Sequence, residues 1–217
     1  MKRIAHLLVL TATVATAGCL QKDTTSTMYL RKDGSFDWVI LEQNVRSDES
    51  TEASRLSEEA RYVDGVSRGD TGLVEGFLAL GAGDVHVQWL RSRRPYAVMV
   101  DARFDSLAKV FDRVLALCEV PHESFVTESN GVATWTLRAD VGLDGERVES
   151  EGGEDCGNGL DGLDDAFEHL RIVLESGTFT AARGFALDGA NTAKLDEEAV
   201  QKAVETTGLI ELSLSWR

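Results

Sequence analysis

Proline is nearly absent from this chain of 217 residues, with two, and cysteine and histidine are scarce at three and four. So little proline excludes a polyproline or collagen-like rod. With 43% hydrophobic and 27% charged residues, the composition is that of a globular chain, and the length favours one domain. Basic side chains are the next deficit: 22 lysines and arginines face 37 aspartates and glutamates, a formal charge of −15. A nucleic-acid backbone would be repelled by that balance, so nucleic acid is excluded as the expected partner. Long apolar runs are missing too. Beyond the first twenty residues no tract holds the roughly eighteen consecutive apolar residues that a spanning helix needs. His86, His122 and His169 are far apart, and no H-x-x-x-H, H-E-x-x-H or C-x-x-C spacing occurs, so no zinc site is announced.

What is present is concentrated at the amino terminus. Lys2 and Arg3 precede an apolar stretch from Ile4 to Val14, which reads as the n-region and h-region of a secretory signal, too short for an ordinary transmembrane span. Small residues then lead to a cysteine in Thr16-Ala17-Gly18-Cys19. This stretch resembles the lipobox of bacterial lipoproteins, with Thr16 where that motif most often has leucine. The resemblance implies removal of residues 1–18 as a signal peptide and lipidation of Cys19, by palmitate among other acyl chains. Ala15-Thr16-Ala17 is also an A-x-A site for ordinary signal cleavage, which keeps a secreted or periplasmic soluble protein as the alternative. Cysteine arithmetic favours the lipid: assigning Cys19 to it leaves Cys118 and Cys156 as an even pair for a disulfide. Leu20 in the second mature position lacks the aspartate linked with inner-membrane retention, so the resemblance implies the outer membrane, facing the periplasm. Residues 19–26 are expected to be a tether reaching about 25 Å when extended, and residues 27–217 a single domain.

Along that domain, strand and helix patterns alternate. Met28 to Leu30 and Phe36, Trp38 and Ile40 flank an Asp33-Gly34 turn as a first hairpin. A helix follows, capped by Ser50 or Thr51, with Ala53, Leu56, Ala60, Val63 and Val66 as its apolar face, then a shorter one through Leu73, Val74, Phe77 and Leu78. Val85 to Trp89 and Tyr96 to Phe104 form a second hairpin. Ser106 caps a helix with an apolar stripe from Leu107 to Cys118. Asn130-Gly131 marks a third hairpin. A short helix around Asp164 to His169 follows the acidic, glycine-rich loop at about 140–162. Leu170 to Leu174 is expected to pair with Phe179 and Ala181 through Ser176-Gly177. Asp196 caps a last helix, and Ile210, Leu212, Leu214 and Trp216 end the chain as a strand. Hairpins with amphipathic helices give an α+β fold: a largely antiparallel, curved sheet built from successive hairpins, with helices packed on one face.

Chemistry-bearing motifs are few. Gly65-Val66-Ser67-Arg68-Gly69 matches G-x-S-x-G, but the helical period of the preceding residues argues against the strand-to-helix elbow a serine nucleophile needs. Asp155, Asn158 and Asp161 in the acidic loop are the candidate oxygen ligands for a calcium ion, against a solvated loop as the plainer reading. The stretch Cys156-Gly157-Asn158-Gly159-Leu160-Asp161 is similar to the C-x-N-G-x-D stretch of certain acidic bacterial surface-protein repeats, which implies metal. Arg91, Arg93 and Arg94 cluster at a hairpin tip, where they would touch lipid phosphates or pair with local carboxylates. The tryptophans, all in strand patterns, read as packing residues. The expected function is that of a lipid-anchored cell-envelope protein without catalysis and without a cofactor, acting by interaction with envelope proteins or as a structural module. The alternative is a binder of an apolar small molecule or lipid between sheet and helices. A hydrolase is third.

Overall fold

Alternation of apolar and polar residues sets the strands, because successive side chains point to opposite faces of a sheet. In β1 (Leu20–Leu30) and β2 (Phe36–Ser47) it places Met28, Leu30, Phe36, Trp38 and Ile40 on one face, all fully buried. The computed structural model describes residues 20–142, 163, 166–167 and 169–217. Among the described residues the remaining elements, in chain order, are α1 (Glu52–Arg68), α2 (Gly72–Ala79), β3 (Val85–Arg91), β4 (Tyr96–Phe104), α3 (Leu107–Leu117), β5 (His122–Ser129), β6 (Val132–Asp140), β7 (Leu170–Leu174), β8 (Phe179–Arg183), β9 (Phe185–Leu187), β10 (Thr192–Leu195), α4 (Glu197–Thr207) and β11 (Leu209–Trp216). The fold is α+β, with two sheets. One has seven strands in the order β3-β4-β2-β1-β7-β10-β9, and the other four in the order β5-β6-β11-β8. All pairs are antiparallel except β1 with β7, which is parallel.

Local chemistry accounts for the boundaries. Thr51, Thr71, Ser106 and Asp196 each accept a backbone N–H from the first turn of the following helix. Gly69 and Gly208 end α1 and α4 in the left-handed conformation that glycine tolerates best. Asn130 and Gly131, both with positive φ, turn β5 into β6.

One buried cluster runs through both sheets and the helices. Its spine is aromatic. Trp38 of the larger sheet lies 5.2 Å from both Phe77 of α2 and Phe167, Phe167 lies 6.2 Å from Phe111 of α3, and Phe111 lies 4.8 Å from Trp135 of the smaller sheet. These rings occupy the space between the sheets. The Trp38 indole N–H donates to Ser26 Oγ at 2.8 Å and that of Trp135 to Ser124 Oγ at 3.2 Å, so neither ring buries an unpaired donor.

The structure departs from the sequence expectations in three places. Residues 20–26, expected as a tether, are strand: β1 begins at Leu20 and pairs from there with β2. The segment is polar, and what recruits it is backbone pairing with the long β2. The Leu170–Leu174 strand does not form a hairpin with Phe179–Arg183. β7 joins β1 and β10 in one sheet while β8 joins β11 in the other. Gly177 permits this divergence, since with φ 101° a Cβ there would collide with the Arg217 carbonyl oxygen. Finally, α1 buries only the carboxy-terminal part of the face expected to be apolar, with Val66 buried and Val63 half-buried. Ala53, Leu56 and Ala60 are exposed, while Glu59, Tyr62 and Val66 face the sheet.

Candidate functional site

The buried face of β2 changes character along its length. Phe36, Trp38 and Ile40 sit in the aromatic core, but the next residue on that face is Glu42, only 4% exposed. Its carboxylate meets the Lys22 ammonium at 2.6 Å and accepts the Tyr62 hydroxyl at 2.8 Å. Burial, followed by the negative charge and hydrogen bond of Glu42, raises the Tyr62 phenol far above its ordinary range, so it stays a neutral donor. A register shift between Glu42 and Val45, with Asn44 at φ 54°, forms a bulge beside this group. The Asn44 amide donates to Asp23 at 2.7 Å and thereby ties the bulge to β1.

Between α1 and the sheet these residues line an open cleft of about 290 Å³. Val98 and Val100 from β4 and Val66 and Leu73 supply apolar wall, while Lys22, Glu42, Tyr62, Arg61 and Thr71 supply polar groups. Sequence reasoning missed this site. Lys22 lay in the supposed tether, Glu42 was one carboxylate among 37, and Tyr62 belonged to the face of α1 expected to be wet. Two buried acidic side chains now mark the face of the sheet that α1 covers, since Glu59, 2% exposed, binds the Ser47 N–H at 3.0 Å and the Arg94 guanidinium at 2.9 Å.

The residues singled out from the sequence fall elsewhere. Cys19, Cys156 and the loop residues Asp155, Asn158 and Asp161 lie outside the described residues. Cys118 is disulfide-bonded, and its partner is also outside them. Ser67 is exposed in the last helical turn of α1, without the strand-to-helix elbow. His86 and His169 are exposed, and His122 contacts the Val120 carbonyl at 2.6 Å and Asp112 at 3.0 Å. Among the described residues no three of His, Cys, Asp and Glu gather as a metal would require. A separate ion-pair network, Arg31 and Arg103 on Asp37 with Arg31 also on Glu175, sits at the Phe36 end of the sheet. Burial opposes the Asp37 charge, but hydrogen bonds and charges from Arg103 and Arg31 outweigh it and hold the carboxyl below its usual range.

Comparison with known proteins adds little to this geometry. No family model and no curated protein matches the chain. Among solved structures it is similar to the NMR structure of the folded domain of the Mycobacterium tuberculosis LppM protein, at 12% identity over 95% of each chain and a TM-score of 0.35. The likeness is slight. It transfers no role to any residue. Among the described residues no helix is long and apolar enough to cross a membrane.

Proposed function

We propose that the protein is a lipid-anchored component of a bacterial cell envelope, held by Cys19 in the outer membrane facing the periplasm, and that it works by contact with other envelope proteins rather than by catalysis. The observation that carries the contact reading is the aromatic packing among the described residues: Trp38, Phe77, Phe111, Phe167 and Trp135 form a continuous chain of rings from one sheet to the other, where an internal ligand would sit. The disulfide at Cys118 supports the exported location, because such bonds persist in oxidising compartments. Labelling cells with palmitate tests the anchor. The wild-type chain is expected to carry the label and fractionate with membranes, and Cys19→Ser to do neither. Equal labelling of both, or of neither, overturns it.

A second reading is favoured by the cleft under α1. There a small molecule with an apolar body could lie on Val66, Val98 and Val100 and meet Lys22 and Glu42 with a polar end. Val98→Phe would fill the cleft. Loss of function in that variant with unchanged thermal stability would favour the small-molecule reading over protein contact.

A further inference from the structure

We propose that the end of the molecule carrying Leu20 is a bilayer-contacting face, which seats on the headgroup layer of the membrane holding Cys19. This rests on the anchored reading above and adds to it an orientation and a set of contact residues.

Strand register brings the parts together. Leu20 is paired with Ser47 at the end of β2, Val45 with Tyr96 at the start of β4, and Ala97 with Arg91 at the end of β3. The start of β1 and the β3–β4 tip are therefore at one end of the seven-stranded sheet, and Leu20, Arg46 and Pro95 line a single surface depression there. The first turns of α1 point the same way. Glu59 binds Ser47 and Arg94 at the sheet's end, while Tyr62 reaches Glu42 further along, so residues before Glu59 extend toward the anchored side.

Side chains suited to a lipid-water boundary collect at that end. Of the four tryptophans, Trp38, Trp135 and Trp216 are at most 1% exposed, and Trp89 alone is partly open. It stands edge-on to Tyr62 at 6.3 Å and Tyr96 at 6.1 Å, two of the chain's three tyrosines. Partly wet Trp and Tyr are the residues that settle at headgroup depth, one end apolar and the other polar. Leu90, the next residue of β3 toward the same tip, is 50% exposed and adds apolar surface at that end. Arg46 and Arg93 are exposed and Arg91 partly so. In a strongly acidic chain they are the local exception that can bind lipid phosphates. Asp48 and Glu49 on the β2–α1 connection would be repelled, which confines the contact to the β3–β4 side.

The test uses the membrane-extracted full protein, reconstituted into vesicles containing phosphatidylglycerol with brominated acyl chains, alongside palmitate labelling of the same preparation. Bromine at the bilayer is expected to quench one indole's share of the tryptophan emission. That loss should vanish in Trp89→Phe, whose remaining three indoles report that the fold is intact, and weaken in a Leu90→Ser, Arg93→Ser double variant. A labelled wild-type protein without quenching, as would follow if a partner protein covered this face instead, overturns the inference and leaves the anchor standing. So does quenching that survives Trp89→Phe. An unlabelled protein overturns the anchor and the inference with it.

Discussion

Tyr62 shows how a single side chain couples the cleft to stability. Its phenol is neutral in the fold because burial and Glu42 disfavour the phenolate, whereas in the unfolded chain it ionises near 10.0. A group whose folded value is raised contributes stability below the unfolded value and loses it as pH rises. Wild-type stability is therefore expected to fall above pH 10. In Tyr62→Phe the hydrogen bond to Glu42 is gone, at a cost of about 1.5–3 kcal/mol at neutral pH for a charged acceptor. Denaturant melts at pH 8 and pH 11 should show the variant less stable at the first and losing less between the two. A variant that tracks the wild type at both would mean that the Tyr62–Glu42 contact contributes nothing. None of this was legible in the sequence, since a tyrosine in a helix pattern announces neither its partner nor its burial.

At the scale of elements, capping and turn chemistry were readable and partner choice was not. Thr51, Ser106 and Asp196 cap helices as their sequence context implied, and Asn130-Gly131 turns as expected, because these signals act over three or four residues. The orientation of α1 is a tertiary matter. Of its expected apolar face Val66 is buried, but Ala53, Leu56 and Ala60 are exposed, because ion pairing and hydrogen bonding of Glu59 with Arg94 and Ser47 set the inward side of the first turns. The two faces predict opposite mutational costs. Leu56→Ser, on an exposed position, is expected to change unfolding free energy by no more than about 0.5 kcal/mol. Glu59→Ala leaves the Ser47 N–H buried without its acceptor and should cost about 1–3 kcal/mol. Urea melts of the two variants decide, and the reverse ranking would restore the apolar stripe as the packing face. Likewise β7 and β8 read as a hairpin from spacing alone, yet each finds a better partner far along the chain, β7 beside β1 and β8 beside β11.

For the whole molecule, the cysteines link the fold to the proposed anchor. There are three, Cys118 is in a disulfide, and its partner must be Cys19 or Cys156 if the bond is within the chain. A Cys19 that carries lipid has no thiol to give, so anchoring at Cys19 requires the pair Cys118–Cys156. That bond would close the glycine-rich acidic segment onto the end of α3 and make the segment part of the domain's stability, because a cross-link restricts the unfolded chain. For a loop of some tens of residues the gain is about 3–4 kcal/mol. Mass spectrometry of unreduced mature protein is expected to find a peptide joining Cys118 to Cys156 and a separate acylated peptide at Cys19. Cys156→Ser should lower the melting temperature by several degrees, on the order of 2–4 °C per kcal/mol for a chain of this size, while palmitate labelling stays unchanged. A peptide joining Cys19 to Cys118 would reverse both assignments together. The protein would then be secreted without an anchor, and the Leu20 end would be stapled to α3 rather than seated on lipid.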